Sequence, residues 1–290
     1  MAQPAMTRDA GAREAGAAAA RGVARYPKHG LRMAEQWLDD PPTRPAGCDV
    51  LLLHQYTQAP AGAVSSPFVT LTIDLRQDVD ALLQGLNRDT KYKVRRAEGK
   101  DQVVCVQEAS ADDALCGRFT SFYNEFALSK GGIDTISEVE LAARARAGSL
   151  RFSRAVYREQ TVVWHVHAAT RERATLLHSA SHFRSQDDND TRAAIGRANR
   201  LLHWNDMLAC KADGLAVYDF GGWYAGNEDE ALLKINQFKE GFGGVRTEQV
   251  NAALALSWRG SIYLRLRQVL SPRQRMQLKS RMRSLLGKQA

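Results

Sequence analysis

The sequence predicts a mixed α+β fold, and three patterns carry that prediction. Strand-like alternation occurs in the first hundred residues, three strand-like segments follow one another between 150 and 183, and an apolar segment at 215–220 precedes a helical one. An antiparallel meander that leads into a strand, helix, strand unit is typical of α+β and mixed α/β proteins.

The composition is that of a globular chain. The 290 residues are 44% hydrophobic and 25% charged, enough to bury a sizeable core in one large domain or two smaller ones. We find neither an apolar run of the roughly 18 residues that a membrane-spanning helix needs nor a secretory leader, and we therefore expect a cytoplasmic protein. The spacing of the cysteines predicts buried thiols, without disulfides or a zinc knuckle: Cys48, Cys105, Cys116 and Cys210.

The first 110 residues predict a disordered lead-in and then short elements. Residues 1–25 are rich in Ala, Gly and Arg and contain almost nothing large enough to bury. The predicted elements that follow are strands at 49–56, 68–75 and 102–108, and a helix at 79–86 that Asp78 caps.

A strongly basic helix is predicted at 87–100. Its cations form two ridges at helical spacing, which are Arg88, Lys91 and Arg95 on one and Lys93, Arg96 and Lys100 on the other. Such a surface suits a phosphate-bearing acceptor, with Lys91, Arg95 and Arg96 as the predicted contacts. The alternative is an ordinary solvated face.

The second half alternates helices and strands. The predicted elements are helices at 111–129, 137–147 and 192–212, and strands at 150–159, 161–170, 174–183 and 215–220. Breaks at 158–159 and 171–172 fit hairpin turns.

The charge of the chain is concentrated at its end. After Glu248 there are nine Lys and Arg residues and no acid. Ser271 and Pro272 predict the start of a helix, in which apolar residues form one stripe among the cations. A basic amphipathic helix suits an anionic membrane surface or a nucleic acid, and the alternative is a helix docked on its own domain.

Four segments together resemble the Fem-type aminoacyltransferases and their relatives in the GNAT-like superfamily. They are "LNRDTKYKVRRAEGKD" at 86–101, "FTSFYNEF" at 119–126, "IGRANRLLHWNDMLACKADGLAVYDFGG" at 195–222 and "INQFKEGFGG" at 235–244. The resemblance implies a GNAT-like fold of two GNAT-like subdomains, the first one reduced. The implied parts are a subdomain at 26–110, an acyltransferase subdomain at 111–258 and a basic tail at 259–290.

The resemblance also implies a function. We expect an N-acyltransferase that moves an acyl group from acyl-coenzyme A to an amine of an amino sugar or cell-envelope or polysaccharide precursor, in the cytoplasm. One alternative is an aminoacyl-tRNA-dependent transferase acting on a peptidoglycan-like precursor. Another is a binding module without catalysis at an anionic surface, where the basic tail contacts the inner face of the membrane.

Two neighbouring residues end an apolar strand as candidate catalytic groups. Asp219 lies where α/β sheets open to ligands, and Gly221 and Gly222 allow a sharp turn or the close approach of a substrate. Asp219 would accept the proton of the incoming amine, or else it caps a helix or pairs with an Arg. Tyr218 points to the opposite face and would donate its hydroxyl or belong to the core.

Lys239 is the third candidate catalytic residue. The resemblance implies that the Lys of this motif contacts substrate or transition state, where a cation neutralises phosphate or a developing oxyanion. The alternative is a surface Lys. Tyr123, on the 111–129 helix, completes the predicted substrate contacts.

The start of the 192–212 helix is the candidate donor site. The segment from Arg192 resembles the coenzyme A signature with one residue too many, and helix N-termini favour anions. The predicted contacts are Arg192, Gly196, Arg197, Ala198 and Asn199.

Metal, hydrolase and NTPase chemistry find no support in the sequence. His165 and His167 project to one face of a strand, but no companion acid or cysteine is spaced to join them, so we expect no metal. The sequence contains no Ser-His-Asp order, no Gly-x-Ser-x-Gly segment and no Walker loop.

Overall fold

The computed structural model describes residues 22–38, 41–131, 133–183 and 188–269. Most of the predicted disordered lead-in and the predicted helix after Ser271 lie outside the described residues, so both stay predictions. Within those residues no helix is long and apolar enough to cross a membrane.

Ten strands form one mixed sheet in the order β1-β2-β3-β10-β4-β9-β8-β7-β6-β5. The strands are β1 (Ala24–Lys28), β2 (Leu31–Trp37), β3 (Val50–Tyr56), β4 (Val64–Asp74), β5 (Val104–Gln107), β6 (Leu150–Tyr157), β7 (Gln160–Ala169), β8 (Arg173–Ser181), β9 (Val217–Gly222) and β10 (Val245–Ala255). Two pairs, β2 with β3 and β8 with β9, are parallel.

Seven helices pack against this sheet in the described part of the chain. They are α1 (Val79–Gly85), α2 (Arg88–Gly99), α3 (Asp113–Lys130), α4 (Glu138–Arg146), α5 (Asn189–Ala212), α6 (Glu230–Glu240) and α7 (Trp258–Val269). Asp78 caps α1, as predicted, because its carboxylate accepts the Ala81 N–H at 2.7 Å.

The two faces of the sheet bury different cores. Val163 and Trp164 are neighbours on β7 but belong to different hydrophobic clusters, because successive side chains of a strand point to opposite faces. The larger cluster packs α1, α2 and α5 against one face, and the other packs α3 and α4 against the opposite face. The cysteines are free thiols; Cys48, Cys116 and Cys210 are buried, as predicted, whereas Cys105 is only partly buried.

The sheet joins the two ends of the described chain. β10 lies between β3 and β4, and β4 pairs with β9, so strands from both predicted subdomains alternate at the centre. The division at residue 110 stays a prediction. The α+β class is confirmed, and so are the predicted strands at 49–56, 68–75 and 215–220.

The structure moves several predicted boundaries by a few residues, among them the start of the long helix, and adds four elements. We predicted that a helix begins at Arg192, but α5 begins at Asn189 because the Asp188 carboxylate accepts the Thr191 N–H at 2.9 Å. β1, β2, β10 and α7 were not predicted. β10 interleaves polar side chains such as Gln249 with small apolar ones, so its sequence lacks the alternation that marks an amphipathic strand.

Candidate functional site

The end of β9 bends at Gly221. This residue has a φ of 69°, and a Cβ atom there would lie 2.7 Å from the carbonyl oxygen of Leu176 on β8. Only glycine tolerates both conditions at low cost. The pairing of β4 with β9 also shifts register between Thr70 and Thr72, so the strand end departs from regular geometry here.

Asp219, directly before the bend, is fully buried and accepts hydrogen bonds from several strands. Its Oδ1 accepts the Gly221 N–H at 2.7 Å and the Thr70 hydroxyl. Its Oδ2 accepts Gln55 Nε2 at 2.9 Å and lies 3.1 Å from the Thr175 hydroxyl. Buried carboxylates need such donors, because an unpaired charge in the interior is costly.

Arg173 supplies the counter-charge of Asp219. Its Nε donates to Asp219 Oδ2 at 3.0 Å, its Nη2 contacts the same oxygen, and Nη2 also donates to Gln249 Oε1 at 2.9 Å. Asp219 thus forms a largely buried ion pair. Sequence patterns did not point to Arg173 or Gln249, because their strands are distant from β9 along the chain.

Lys239 approaches the same strand end from the last turn of α6. The side chain is largely buried, with 8% of the residue exposed. Its Nζ donates to the Gly221 carbonyl oxygen at 3.4 Å and to that of Gly222. Burial lowers the pKa of Lys239 from its ordinary 10.5 to about 8, although Asp219 acts in the opposite direction.

The Thr70 hydroxyl lies between Asp219 and the carbonyl group that Lys239 contacts. Thr70 lies within hydrogen-bond distance of Asp219 Oδ1 and of the Gly221 carbonyl oxygen, to which Lys239 also donates. The structure therefore brings Asp219, Lys239, Gly221 and Gly222 together at one strand end.

Tyr218 lies on the opposite face of β9, in a buried polar cluster. Its hydroxyl is 2.8 Å from His203 Nδ1 and 3.1 Å from His167 Nε2. Burial raises the pKa of Tyr218 and lowers those of both histidines, that of His167 to about 4. These groups are neutral near pH 7, and Tyr218 is not in hydrogen-bond contact with Asp219 or Lys239 in the described structure.

The predicted substrate cations lie on the exposed side of α2. An open groove is lined by Arg88, Lys91, Tyr92, Arg95, Arg96 and Lys100. Lys91 Nζ donates to the Gln84 carbonyl oxygen at 3.0 Å, and Arg96 Nη1 donates to the Tyr92 hydroxyl at 2.9 Å. The Nε of Arg96 is buried without a hydrogen-bond partner. A row of cations along one open groove suits phosphate oxygens.

α2 begins close to the end of α6. The Asn87 N–H donates to the Gly241 carbonyl oxygen at 2.9 Å, which joins the N-cap of α2 to the residue that follows α6. Lys239 is two residues before Gly241. The start of α2, which carries the cationic groove, and the end of α6, which carries Lys239, are therefore neighbours.

The predicted donor residues do not converge on a common surface. Asp188 and Asp190 place two carboxylates at the N-terminus of α5, and Asp188 already accepts backbone N–H groups there. Three of the predicted donor residues form hydrogen bonds elsewhere: Arg192 with Asn189, Arg197 with Asp101, and Asn199 with His165. Gly196 packs near Phe183, and Ala198 is fully buried. This geometry does not favour a phosphate, because the two carboxylates neutralise the positive end of the helix dipole and repel a further anion.

Tyr123 lies apart from the other predicted contacts. Its ring packs on α3 against Phe119, Phe126 and His178, within the cluster on the second face of the sheet. Lys239 and its neighbour Phe238 lie by the first cluster.

The comparisons with known proteins identify a fold. No protein-family model and no curated protein matches this chain. Among solved structures, the crystal structure of FemX is 13% identical with a TM-score of 0.52, over 63% of this chain and 61% of FemX. The chain therefore spans about three fifths of the length of FemX.

A second solved structure covers more of the chain. The C-terminal domain of a proposed lysylphosphatidylglycerol synthetase from Agrobacterium fabrum is 12% identical, with a TM-score of 0.50, over 86% of this chain and 85% of that domain. These likenesses confirm the predicted α+β class. The chain has the fold shared by FemX and that synthetase domain.

Proposed function

We propose that this protein is an acyltransferase of the Fem and GNAT type, which moves an acyl group onto an amine of an amino sugar or cell-envelope precursor. The observation that carries the proposal is Lys239. This protein shares the fold of FemX and the synthetase domain. Its Lys239 ammonium is largely buried at the bent end of β9, and the start of the helix that carries the cationic groove lies close to the end of α6. Fold likeness alone does not define a reaction, so the site supplies the argument.

Lys239 would stabilise the charge that develops during acyl transfer. When an amine attacks the acyl carbonyl carbon, the carbonyl oxygen becomes an oxyanion, and a buried ammonium stabilises it more strongly than an exposed one would. The carbonyl groups of Gly221 and Gly222 hold Nζ in place. The lowered pKa of Lys239 also permits it to exchange a proton near pH 8.

Asp219 supports this site as a positioning residue in our proposal. Its oxygens already lie within hydrogen-bond distance of donor groups on five residues, so an attacking amine would have to displace one of them. The carboxylate instead fixes the N–H of Gly221, the residue whose carbonyl contacts Lys239. The base role predicted for Asp219 therefore becomes the less favoured of the two.

The groove on α2 would hold the phosphates of a substrate. Arg88, Lys91 and Arg95 follow one helical ridge with no acid among them. Aminoacyl-tRNA is the donor that this surface favours, since the α5 terminus places carboxylates where coenzyme A phosphates were expected. Acyl-coenzyme A is the second candidate donor.

α7 would place the protein at an anionic membrane surface. Trp258, Ile262, Leu266 and Val269 recur along one side of the helix and are 50–81% exposed. Arg259 and Arg265 flank this stripe by helical spacing, and the sequence beyond Glu248 contains no acid. Apolar side chains bordered by cations bind the headgroup region of anionic lipids.

Thermal unfolding in the presence of separate ligands tests the proposal, because a ligand of the native state raises the midpoint. We expect bulk tRNA to raise the unfolding midpoint of the full chain. Salt at about 0.5 M, roughly ten times the concentration in the working buffer, should abolish this shift. An R88A/K91A/R95A variant should lose the shift, and K234A, which removes an exposed cation of α6, should keep it.

The other outcomes assign the remaining candidates. A shift with coenzyme A or acetyl-coenzyme A, and none with tRNA, would restore acyl-coenzyme A as the donor. If no ligand changes the unfolding midpoint and the protein still binds anionic vesicles, the proposal of an enzyme would be contradicted and the binding module would remain.

A further inference from the structure

A second cluster of chemically active side chains lies on the face of the sheet opposite Asp219. His165 and His167 point from β7 toward α5, and Asp206 of α5 meets them. One atom of each residue lies within 4.8 Å of the corresponding atoms of the other two, and all three residues are buried. The acid that joins the two histidines is therefore Asp206, which lies 39 residues after His167 in the sequence and was not predicted as their partner.

The distances suit a shared ligand. Asp206 Oδ2 is 2.7 Å from His165 Nδ1 and 3.9 Å from His167 Nε2. A tetrahedral metal with bonds of about 2.1 Å separates its ligand atoms by about 3.4 Å, a value between these two. To admit an ion, the first distance would have to lengthen by about 0.7 Å and the second to shorten by about 0.5 Å.

Neighbouring side chains orient the three groups from outside. Gln107 Nε2 donates to Asp206 Oδ1 at 2.7 Å, which leaves Oδ2 directed at the histidines. Asn199 Oδ1 lies 2.8 Å from His165 Nε2, which leaves Nδ1 directed at Asp206. Ligands of protein metal sites characteristically have such outer partners, which fix the tautomer and the ring orientation.

Tyr218 occupies the remaining side of the cluster. Its oxygen is 3.1 Å from His167 Nε2, close to the separation expected for ligands of one ion, and His203 Nδ1 contacts it at 2.8 Å. Tyr218 therefore borders the three-residue cluster at His167.

We propose that His165 Nδ1, His167 Nε2 and Asp206 Oδ2 form a structural site for a divalent transition metal of the zinc class, with the Tyr218 oxygen as the fourth ligand after its hydroxyl proton is released to solvent on binding. Imidazole and carboxylate ligands suit such ions, and a closed set of four ligands is typical of structural rather than catalytic sites. The ion would tie β7 and β9 to α5 beneath the candidate catalytic strand. This site is independent of the proposed acyl transfer.

Metal analysis of the purified full chain tests the site. We dialyse the protein against Zn²⁺, remove loosely bound ion by gel filtration, and expect about one equivalent per chain. H167A and D206N should retain less than about a tenth of that amount. H178A is the matched control, because His178 is a ring on the adjacent strand that packs against Phe119 on the other face.

Cobalt reconstitution keeps the test decisive even where a variant fails to fold. Wild-type protein with Co²⁺ should show the intense visible absorption of a four-coordinate site, and Zn²⁺ should displace it. Less than a tenth of an equivalent of Zn²⁺ and no cobalt spectrum in folded wild type, or equal metal in H167A, D206N and H178A, would overturn the proposal.

Discussion

The Nζ of Lys239 and the carbonyl oxygen of Gly221 are 3.4 Å apart, at the point where β9 bends. This contact joins the end of α6 to the end of β9, although Lys239 and Gly221 are 18 residues apart in the sequence. The bend exists because Gly221 has a left-handed backbone, and the contact requires Lys239 to be buried.

Gly221→Ala should destabilise the protein. The substitution forces a side chain into a φ of 69° and against the Leu176 carbonyl, so we expect the free energy of unfolding to fall by about 2–4 kcal/mol. Gly222→Ala is the control, because its Cβ would meet only the Phe68 ring at 3.6 Å and its φ is not positive. Urea unfolding measures both, and equal losses would contradict this role of Gly221.

Asp219→Asn should leave Arg173 without its counter-charge. The Arg173 side chain is 12% exposed, and loss of one partner of a largely buried ion pair costs about 3–5 kcal/mol. The double variant D219N/R173Q should recover part of this loss, because it removes both charges. A D219N protein as stable as wild type in urea would show that the pair does not organise the strand end.

The buried Lys239 makes the stability of the protein depend on pH. Its folded pKa of about 8 lies below the ordinary 10.5, so the unfolded chain binds more protons between those two values. Stability relative to Lys239→Met should therefore increase by about 3 kcal/mol as the pH rises through this window. Urea unfolding of both proteins at pH 7.5, 9 and 10.5 measures the difference, and a constant difference would contradict the burial of a charged Lys239.

The apolar stripe of α7 should direct membrane binding. Ile262→Glu and Leu266→Glu should each weaken co-sedimentation with phosphatidylglycerol vesicles by about tenfold, because each removes buried apolar area and adds a repelled charge. Val139→Glu alters an equally exposed residue of α4 and should have no effect. Full binding by both α7 variants would show that the stripe serves another contact, such as the chain beyond Val269.

Local patterns predicted the elements that carry Lys239 and Asp219, because strand alternation and helix caps depend only on neighbouring residues. They did not predict which residues surround Asp219. Gln55, Thr70 and Thr175 come from β3, β4 and β8, and only the order of the sheet brings their side chains to one carboxylate. No spacing along the chain encodes that order.

The same limit applies to Asp206 and to the donor site. Asp206 is an unremarkable mid-helix acid in the sequence, and its contact with His165 depends on how α5 crosses β7. The donor residues from Arg192 onward failed to converge because the helix begins one turn earlier than predicted. The contact of Asp206 follows from tertiary packing, which periodicity does not specify, whereas the earlier helix start follows from the local cap at Asp188.

Single-turnover acyl transfer by wild type and Lys239→Met tests the central claim most directly. With aminoacyl-tRNA or acetyl-coenzyme A as donor and an amino-sugar acceptor, we expect the variant to remain folded and to transfer about 10²–10³-fold more slowly, since it lacks the oxyanion-stabilising ammonium. Lys234→Met on the exposed side of α6 should transfer at the wild-type rate. A folded Lys239→Met protein that transfers as fast as wild type would contradict the account.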